Sequence, residues 1–188
     1  MYRAVSADMG NPAKLQETLK GFEAVFLVVP GHHDRTQLAL NGIEAGKHAG
    51  VKFLLVLSVL TVGTNTIFGR QFDPIEAKTK ESGIHYCIIR LPLFMDNNYA
   101  HLNPIKEESI IYDPRDPTKL STPVAIADIG KVAAEILANP EDHVGMTYKL
   151  VAPTFSFNDK AAEFTKALGK EVKVKRVSYE EGEAAMLK

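Results

Sequence analysis

The stretch Ala24-Val25-Phe26-Leu27-Val28-Val29-Pro30-Gly31 sets six apolar residues in a row against two residues that end a strand. Polar side chains do not alternate with them, so the run suits a strand covered on both faces, as in a parallel sheet. The same character returns at Val51 to Val59 and at His85 to Arg90, the latter broken by Leu91-Pro92. Helical patterns separate these runs. One covers roughly Arg35 to His48. Another covers Phe72 to Glu81, with Phe72, Ile75 and Thr79 on one side and Gly83 at its end. Strands alternating with helices make βαβ units with right-handed crossovers. The expected fold is α/β, a Rossmann-like, doubly wound, mostly parallel sheet.

Tyr2 to Ser6 reads as a short strand, and Asn11-Pro12 as a helix start with proline at the first helical position. Leu15 and Leu19 share one face of that helix, and Gly21 suits its C-terminal cap. Downstream, Asn97 to Leu120 is polar, holds several prolines and reads as irregular. Asp128 is expected to cap a helix with Ile129, Val132, Ala133, Ile136 and Leu137 at helical spacing, ended by Asn139-Pro140. Tyr148 to Val151 reads as a short strand. Ser156-Phe157-Asn158-Asp159 has the form of a capping box for a helix reaching Leu168 before Gly169. Val172, Val174 and Arg176-Val177 alternate like a strand, and Tyr179 to Leu187 reads as a last helix.

The 188 residues suit one domain, 1–188. With 22 basic and 23 acidic side chains and no basic stripe, the chain lacks the electrostatic footprint of a nucleic-acid binder. Its longest apolar stretch, Val51 to Val62, contains Lys52 and is too short to cross a bilayer. The N-terminus, Met1-Tyr2-Arg3-Ala4, lacks the apolar core of a signal peptide. The single cysteine, Cys87, lies within His85-Tyr86-Cys87-Ile88-Ile89 and reads as a buried small hydrophobe. One cysteine excludes an internal disulfide and fits a reducing compartment. A soluble, cytoplasmic protein is expected.

Folds of this kind bind ligands beyond the carboxyl ends of the strands. The residues that follow the expected strands are Asp8, Pro30-Gly31, Ser58 and Pro92 to Asn98. A glycine-rich turn should let the backbone approach a pyrophosphate at a helix N-terminus. The 13 glycines contain no G-x-G pair. Gly42, Gly46 and Gly50 recur at helical spacing and read as a flat face for close packing. None of the six tyrosines is followed four residues later by lysine, so a Tyr-x-x-x-Lys proton relay is absent. His32-His33-Asp34 has metal-ligand residue types, but no Cys or Glu cluster completes a site, so no metal is expected. It reads as a solvated loop or a cofactor contact. Ser58 ends a strand, where an active-site serine and ordinary turn chemistry are both open readings. Arg90 ends the next, with a salt bridge and a cofactor contact both open.

Several segments, in order, resemble the NmrA-like family of atypical short-chain dehydrogenases/reductases. Asp8, Leu15 and Leu19-Lys20-Gly21-Phe22-Glu23-Ala24-Val25-Phe26 resemble its D…L…L-x-G-x-D-A-V-F run. Ala49-Gly50-Val51-Lys52-Phe53 is similar to its approach to the next strand. The most specific match is Ser82-Gly83-Ile84-His85-Tyr86-Cys87-Ile88-Ile89-Arg90-Leu91-Pro92-Leu93-Phe94-Met95-Asp96-Asn97, similar to S-G-L-x-Y-T-I-L-R-P-x-x-F-M-E-N. Ala127-Asp128-Ile129-Gly130-Lys131-Val132-Ala133-Ala134 resembles its x-D-I-G-x-V-A-A helix start. Gly145-Met146-Thr147-Tyr148, Ser156 and Leu168-Gly169-Lys170 complete the order.

The resemblance implies binding of NADP or NAD. It implies that Asp8 lies near the adenine, that Val29, Pro30 and Gly31 pass along the cofactor, and that Ser58, Pro92 and Phe94 lie nearer the nicotinamide. No catalytic residue is assigned. Relative to the family pattern, the chain is expected to lack the first βαβ unit with its glycine-rich loop, and elements beyond its C-terminus. Many reductases of the family carry a lysine in the helix before Ser82-Gly83; here the helix reads Gln71-Phe72-Asp73-Pro74, and Lys78 and Lys80 lie farther along. Three readings follow: a NAD(P)H-binding redox-sensing regulator, a NAD(P)H-dependent oxidoreductase acting on a quinone or other small molecule, and a shortened interaction module that binds no nucleotide. Exposed apolar edge strands favour a homodimer or another protein partner.

Overall fold

Long apolar runs become the central strands because each gains a hydrogen-bonded neighbour and a cover of helices. The computed structural model describes residues 4–186. In chain order these form α1 (Pro12–Leu19), β1 (Ala24–Leu27), α2 (Arg35–Ala49), β2 (Phe53–Val59), α3 (Ile67–Glu81), β3 (His85–Leu91), a 3-10 turn (Met95–His101), α4 (Leu102–Glu108), β4 (Ile110–Asp113), α5 (Ile126–Ala138), a 3-10 turn (Pro140–His143), β5 (Thr147–Lys149), α6 (Phe157–Leu168), β6 (Lys173–Arg176) and α7 (Tyr179–Met186). The chain divides at Pro92/Leu93, Ile126/Ala127 and Leu150/Val151 into two units.

The first unit contains a four-stranded sheet in the order β1-β2-β3-β5, with every pairing parallel. This is the expected Rossmann-like α/β architecture. Its core joins Leu54 and Val56 of β2 and Ile88 of β3 to Ile43 of α2 and Phe72 and Ile75 of α3. Gly42 lets α2 approach β1: a β-carbon there would lie 3.1 Å from Leu27. Gly50 instead closes the helix as its left-handed cap, at φ 81°. Cys87 is buried, and burial pushes its thiol up to about 11, as suits a structural cysteine. Among the described residues no helix is long and apolar enough to cross a membrane.

The second unit pairs β4 with β6 in parallel. Ile105 of α4, Ile111 of β4, Phe157 and Ala161 of α6, and Val172 form its core. The capping box is present as expected: the Ser156 hydroxyl accepts from Asp159 N–H, and Asp159 accepts from Ser156 N–H.

Several boundaries differ from expectation. Of the strand expected at Tyr2 to Ser6, Tyr2 and Arg3 lie outside the described residues, and Ala4 to Ser6 join no ladder. Val5 is 52% exposed, so little apolar burial holds it in place. β1 ends at Leu27 and is only partly buried, because β2 is its one neighbour among the described residues. α3 starts five residues before Phe72, since the Thr66 hydroxyl accepts from Gly69 N–H and caps it there. α5 starts at Ile126, which puts Asp128 in its first turn rather than at the cap. The Asn97 to Leu120 segment is the largest correction. It folds as part of the first 3-10 turn, α4 and β4, and β4 exists because β6, some 60 residues later, pairs with it.

Gly69 offers a direct test of this packing. A β-carbon there would collide with the carbonyl oxygens of Thr61 and Thr64 in the turn that leads into α3. Gly69→Ala is expected to destabilise the chain by about 1–3 kcal/mol despite alanine's higher helix propensity. Chemical denaturation measures this; an unchanged or raised stability would contradict the packing.

Candidate functional site

Parallel register gathers the carboxyl ends of the strands in the first unit. Leu27 pairs with Val56, Ser58 with Arg90 and Val59 with Leu91. Leu60 N–H donates to Leu91 O at 2.8 Å, which carries the alignment one residue past the sheet. Beyond β1, Val29 is half-buried, whereas Pro30 and Gly31 are exposed. Pro30 O accepts from His32 N–H at 2.9 Å, so the chain turns sharply into α2. Asp34 stands at the N-cap but makes no side-chain bond to the first turn. A β-carbon on Gly31 would lie 3.7 Å from the Arg35 guanidinium. Arg35 donates to His32 O at 3.2 Å, stacks at 4.9 Å from the Phe68 ring, and has no carboxylate partner among the described residues.

Asp8 is exposed. Its carboxylate accepts from Gly10 N–H at 2.8 Å, and its carbonyl accepts from Asn11 N–H at 3.0 Å. Asn41 of α2 fixes the next residue by donating to Met9 O at 2.9 Å. Asp8 and Gly31 thus flank the same helix, one through Met9 and Asn41, the other through Arg35.

Ser58 lies buried near the end of β2. It is 2% exposed, and its hydroxyl donates to Glu76 Oε1 at 2.6 Å. Arg90 closes on the same carboxylate, donating from Nε to Oε1 at 2.9 Å and from an Nη to Oε2 at 2.6 Å. The Ser58 hydroxyl is therefore engaged with Glu76. For Arg90 the salt-bridge reading holds. Burial alone would raise the Glu76 carboxyl, but the Arg90 and Ser58 hydrogen bonds outweigh it and leave the group below its ordinary range. Lys80 adds a longer pairing at 3.5 Å, and Lys78 pairs with Glu44 at 2.7 Å, so both lysines of α3 are engaged. Pro92 ends the first unit half-buried. Phe94 belongs to the second unit, where it bridges Val124.

His32, His33 and Asp34 bring three ligand-type atoms within 4.8 Å of one another, all exposed. His32 Nδ1 already accepts from Asp34 N–H at 3.1 Å, and His33 Nε2 lies 3.1 Å from the Asp34 carboxylate. This fits a solvated loop.

The second unit holds a cleft of about 880 Å³, bordered by Phe94, Phe155, Phe157, Tyr112, Pro114 and Lys160. At its base Asp113, 5% exposed, clamps Arg115: Nε and an Nη each donate to a carboxylate oxygen at 2.8 Å, and the Arg115 backbone N–H donates at 2.9 Å. The Arg115 guanidinium lies 4.5 Å from the Phe157 ring centre and Lys160 Nζ 4.1 Å from it. His101 meets the same ring edge-on at 6.3 Å. Burial, then the Arg115 charge, push the Lys160 ammonium down to about 8. Burial and Lys160 likewise hold His101 below its ordinary value.

Glu76, Arg115 and Lys160 were not singled out by the sequence. Glu76 had a signal: it is a carboxylate on the same helical face as Phe72, Ile75 and Thr79. Arg115 lies in the segment expected to be irregular, and Lys160 resembles an ordinary solvated helix residue.

A family model described as NmrA-like matches residues 3–184. The chain belongs to the NmrA-like family. It is 27% identical over 187 residues to a NAD(P)H azoreductase of Xenophilus azovorans, covering 98% of this chain and 65% of that protein. It is 29% identical over 184 residues to quinone oxidoreductase 2 of Escherichia coli, covering 96% and 63%. Among solved structures, it is similar to the NADPH-dependent quinone oxidoreductase of Escherichia coli complexed with NADPH, at a TM-score of 0.85 and 27% identity, covering 95% and 64%. The chain thus spans less than two thirds of the length of these relatives.

The buried carboxylate gives a test in stability. Glu76→Ala strands Arg90, which is 21% exposed, and Ser58; a loss of about 3 kcal/mol is expected, the low end for a broken buried pair. Because the folded carboxyl is held low, its contribution is present above the ordinary glutamate value of about 4.3 and is lost as pH falls through the lower folded value. Urea denaturation across that window should show a smaller pH slope for Glu76→Gln than for the wild type. Equal slopes would contradict a stabilising role for the ionised Glu76.

Proposed function

We propose that the first unit holds NADP or NAD along the carboxyl edge of its sheet, and that the chain acts as a NAD(P)H-dependent oxidoreductase on a quinone or other small molecule. The observation that carries this reading is the exposed edge where Val29, Pro30 and Gly31 run into the first turn of α2. Open parallel sheets bind ligands at such edges. Gly31 leaves room for close backbone approach, and Arg35, without a carboxylate partner among the described residues, can pair with a phosphate. The N-terminus of α2 favours negative charge for the same purpose. The Asp8 carboxylate keeps acceptor capacity beyond its bond to Gly10 and can receive a donor of the adenosine. These donors and acceptors fit one end of a dinucleotide.

When bound, the dihydronicotinamide supplies a hydride. The chain's own residues bind and orient. A quinone suits a chain without a Tyr-x-x-x-Lys pair, because the oxyanion left by two-electron reduction is stable enough to take its proton from water. The alignment with an azoreductase and a quinone oxidoreductase over nearly the whole chain supports the reductase reading. A redox-sensing regulator would use the same bound nucleotide without turnover. β1 pairs with no strand on its outer side among the described residues, and a homodimer or other protein partner at that edge is part of the proposal.

At NADPH about one hundred times Kd, binding should add about 2.7 kcal/mol. For a chain of this size that is a rise in Tm of roughly 5–10 °C. Gly31→Leu, which fills the approach beside Arg35, should remove most of the rise while leaving the unliganded Tm within a degree or two. Consumption of NADPH with menadione favours the reductase; a Tm rise without consumption favours the regulator. No rise at millimolar NADPH or NADH overturns the dinucleotide reading in favour of the interaction module.

A further inference from the structure

The cleft of the second unit has an unusual charge arrangement, and it lies wholly within that unit. Among the described residues three carboxylates border it, and each accepts at least one hydrogen bond from the chain. Asp113 is taken by Arg115. Asp96 accepts from Ile126 N–H at 2.9 Å, and Glu181 accepts from Ser178 N–H at 2.7 Å. Arg115 in turn is paired with Asp113 through two of its donors. Lys160 differs: it is half-buried, and its ammonium has no hydrogen-bond or ion-pair partner among the described residues, only the face of Phe157. The remaining walls are apolar and aromatic, from Phe94, Phe155 and Pro114. A volume of about 880 Å³ is in the range that takes a ligand of several rings.

We propose that this cleft is a binding site for an aromatic or conjugated anion, whose rings pack on Phe94, Phe155 and Phe157 and whose anionic group pairs with Lys160. The ring system removes aromatic surface from water and stacks within reach of the cations. The anion supplies the partner that Lys160 lacks, and a charge-assisted bond in a half-buried site is stronger than one at the surface. A cationic ligand would add to the positive charge of Lys160 instead of neutralising it, and Asp113 is already clamped on Arg115. A neutral ligand would leave the ammonium as it is. The site needs no nucleotide, so its test is separate from that of the dinucleotide reading.

The pH dependence follows from the groups around Lys160. Asp113 and Arg115 face it from the end of β4, His101 and Asp96 from the first 3-10 turn, Glu181 from α7 and Tyr112 from β4. His101 is held below its ordinary range, Arg115 is held above its own by Asp113, and the Tyr112 hydroxyl, bonded to Glu108, is held up as well. Lys160, near 8, is thus the group of the cleft that changes charge just above neutrality. Anion affinity should be highest below that value and fall as pH rises through it.

The probes are 2-naphthoate and its neutral isostere 2-naphthamide, titrated into the full chain by calorimetry without nucleotide. At pH 7 the carboxylate is expected to bind at least tenfold tighter than the amide, and the ratio should fall towards one by about pH 9.5, where a group of pKa about 8 is neutral. Lys160→Met should bring the pH 7 ratio near one while leaving amide binding in place, and Lys160→Arg should keep the preference and abolish its pH dependence. If Lys160→Met fails to fold, the wild-type pH series and Lys160→Arg carry the test. Equal affinity for the two probes, a preference that survives in Lys160→Met, or no binding of naphthoate at millimolar concentration overturns the proposal.

Discussion

One buried carboxylate joins the parts of the first unit. Glu76 on α3 receives the Ser58 hydroxyl from β2 and the Arg90 guanidinium from β3. Ser58 and Arg90 are register partners, so their side chains leave the same face of adjacent strands. On that face, two and four residues earlier, Leu54, Val56 and Ile88 belong to the apolar core and Tyr86 packs against it. The face is therefore apolar along most of its length and turns ionic at its carboxyl end. A one-residue slip of β3 would send Arg90 to the opposite face and strand Glu76. Apolar residues tolerate such a slip better than a buried charge does, because the unpaired charge keeps its full desolvation cost. The ion pair thus ties strand register to helix position at the point where the loops begin.

That constraint sets where the loops can carry chemistry. With β2 and β3 fixed, Leu60 N–H meets Leu91 O and Leu150 N–H meets Arg90 O, so the chain leaves the sheet at defined positions. β1 is less constrained, being paired on one side and only partly buried. Its continuation through Val29, Pro30 and Gly31 is correspondingly open, and Arg35 and the start of α2 border it. Rigid strands that hand over to exposed loops are the usual way a sheet offers a binding edge.

The repeating apolar runs made the parallel sheet legible from residues alone, since hydrophobicity that is continuous rather than alternating is what a strand covered on both faces requires. Local caps were legible too: Asn11-Pro12, Gly83, and Ser156 with Asp159 act within four residues of themselves. What escaped was non-local. β4 is a strand because β6 lies beside it, and nothing within Ile110 to Asp113 announces that pairing. Thr66 starts α3 well ahead of Phe72, its first large buried residue, with one hydroxyl. At the candidate site, the exposure of Pro30 and Gly31 followed from their place after a strand. The burial of Ser58 did not, because it depends on a glutamate 18 residues later reaching back to the sheet.

The two cations of the second unit show how the same charge can be structural or available. Arg115 follows Asp113 by two residues, so its partner is local and comes at little entropic cost; fork geometry then satisfies both carboxylate oxygens. Lys160 has the opposite setting. It lies just past the capping box of α6, near the positive end of the helix dipole, where a cation is disfavoured. Burial and the Arg115 charge work against it as well. Three independent effects oppose an ammonium there, and the Phe157 ring together with the more distant Asp113 charge offset only part of them. A methionine would cover the same ring without any of those costs. Where local rules are broken without compensation inside the chain, the compensating interaction is to be sought in something the chain binds.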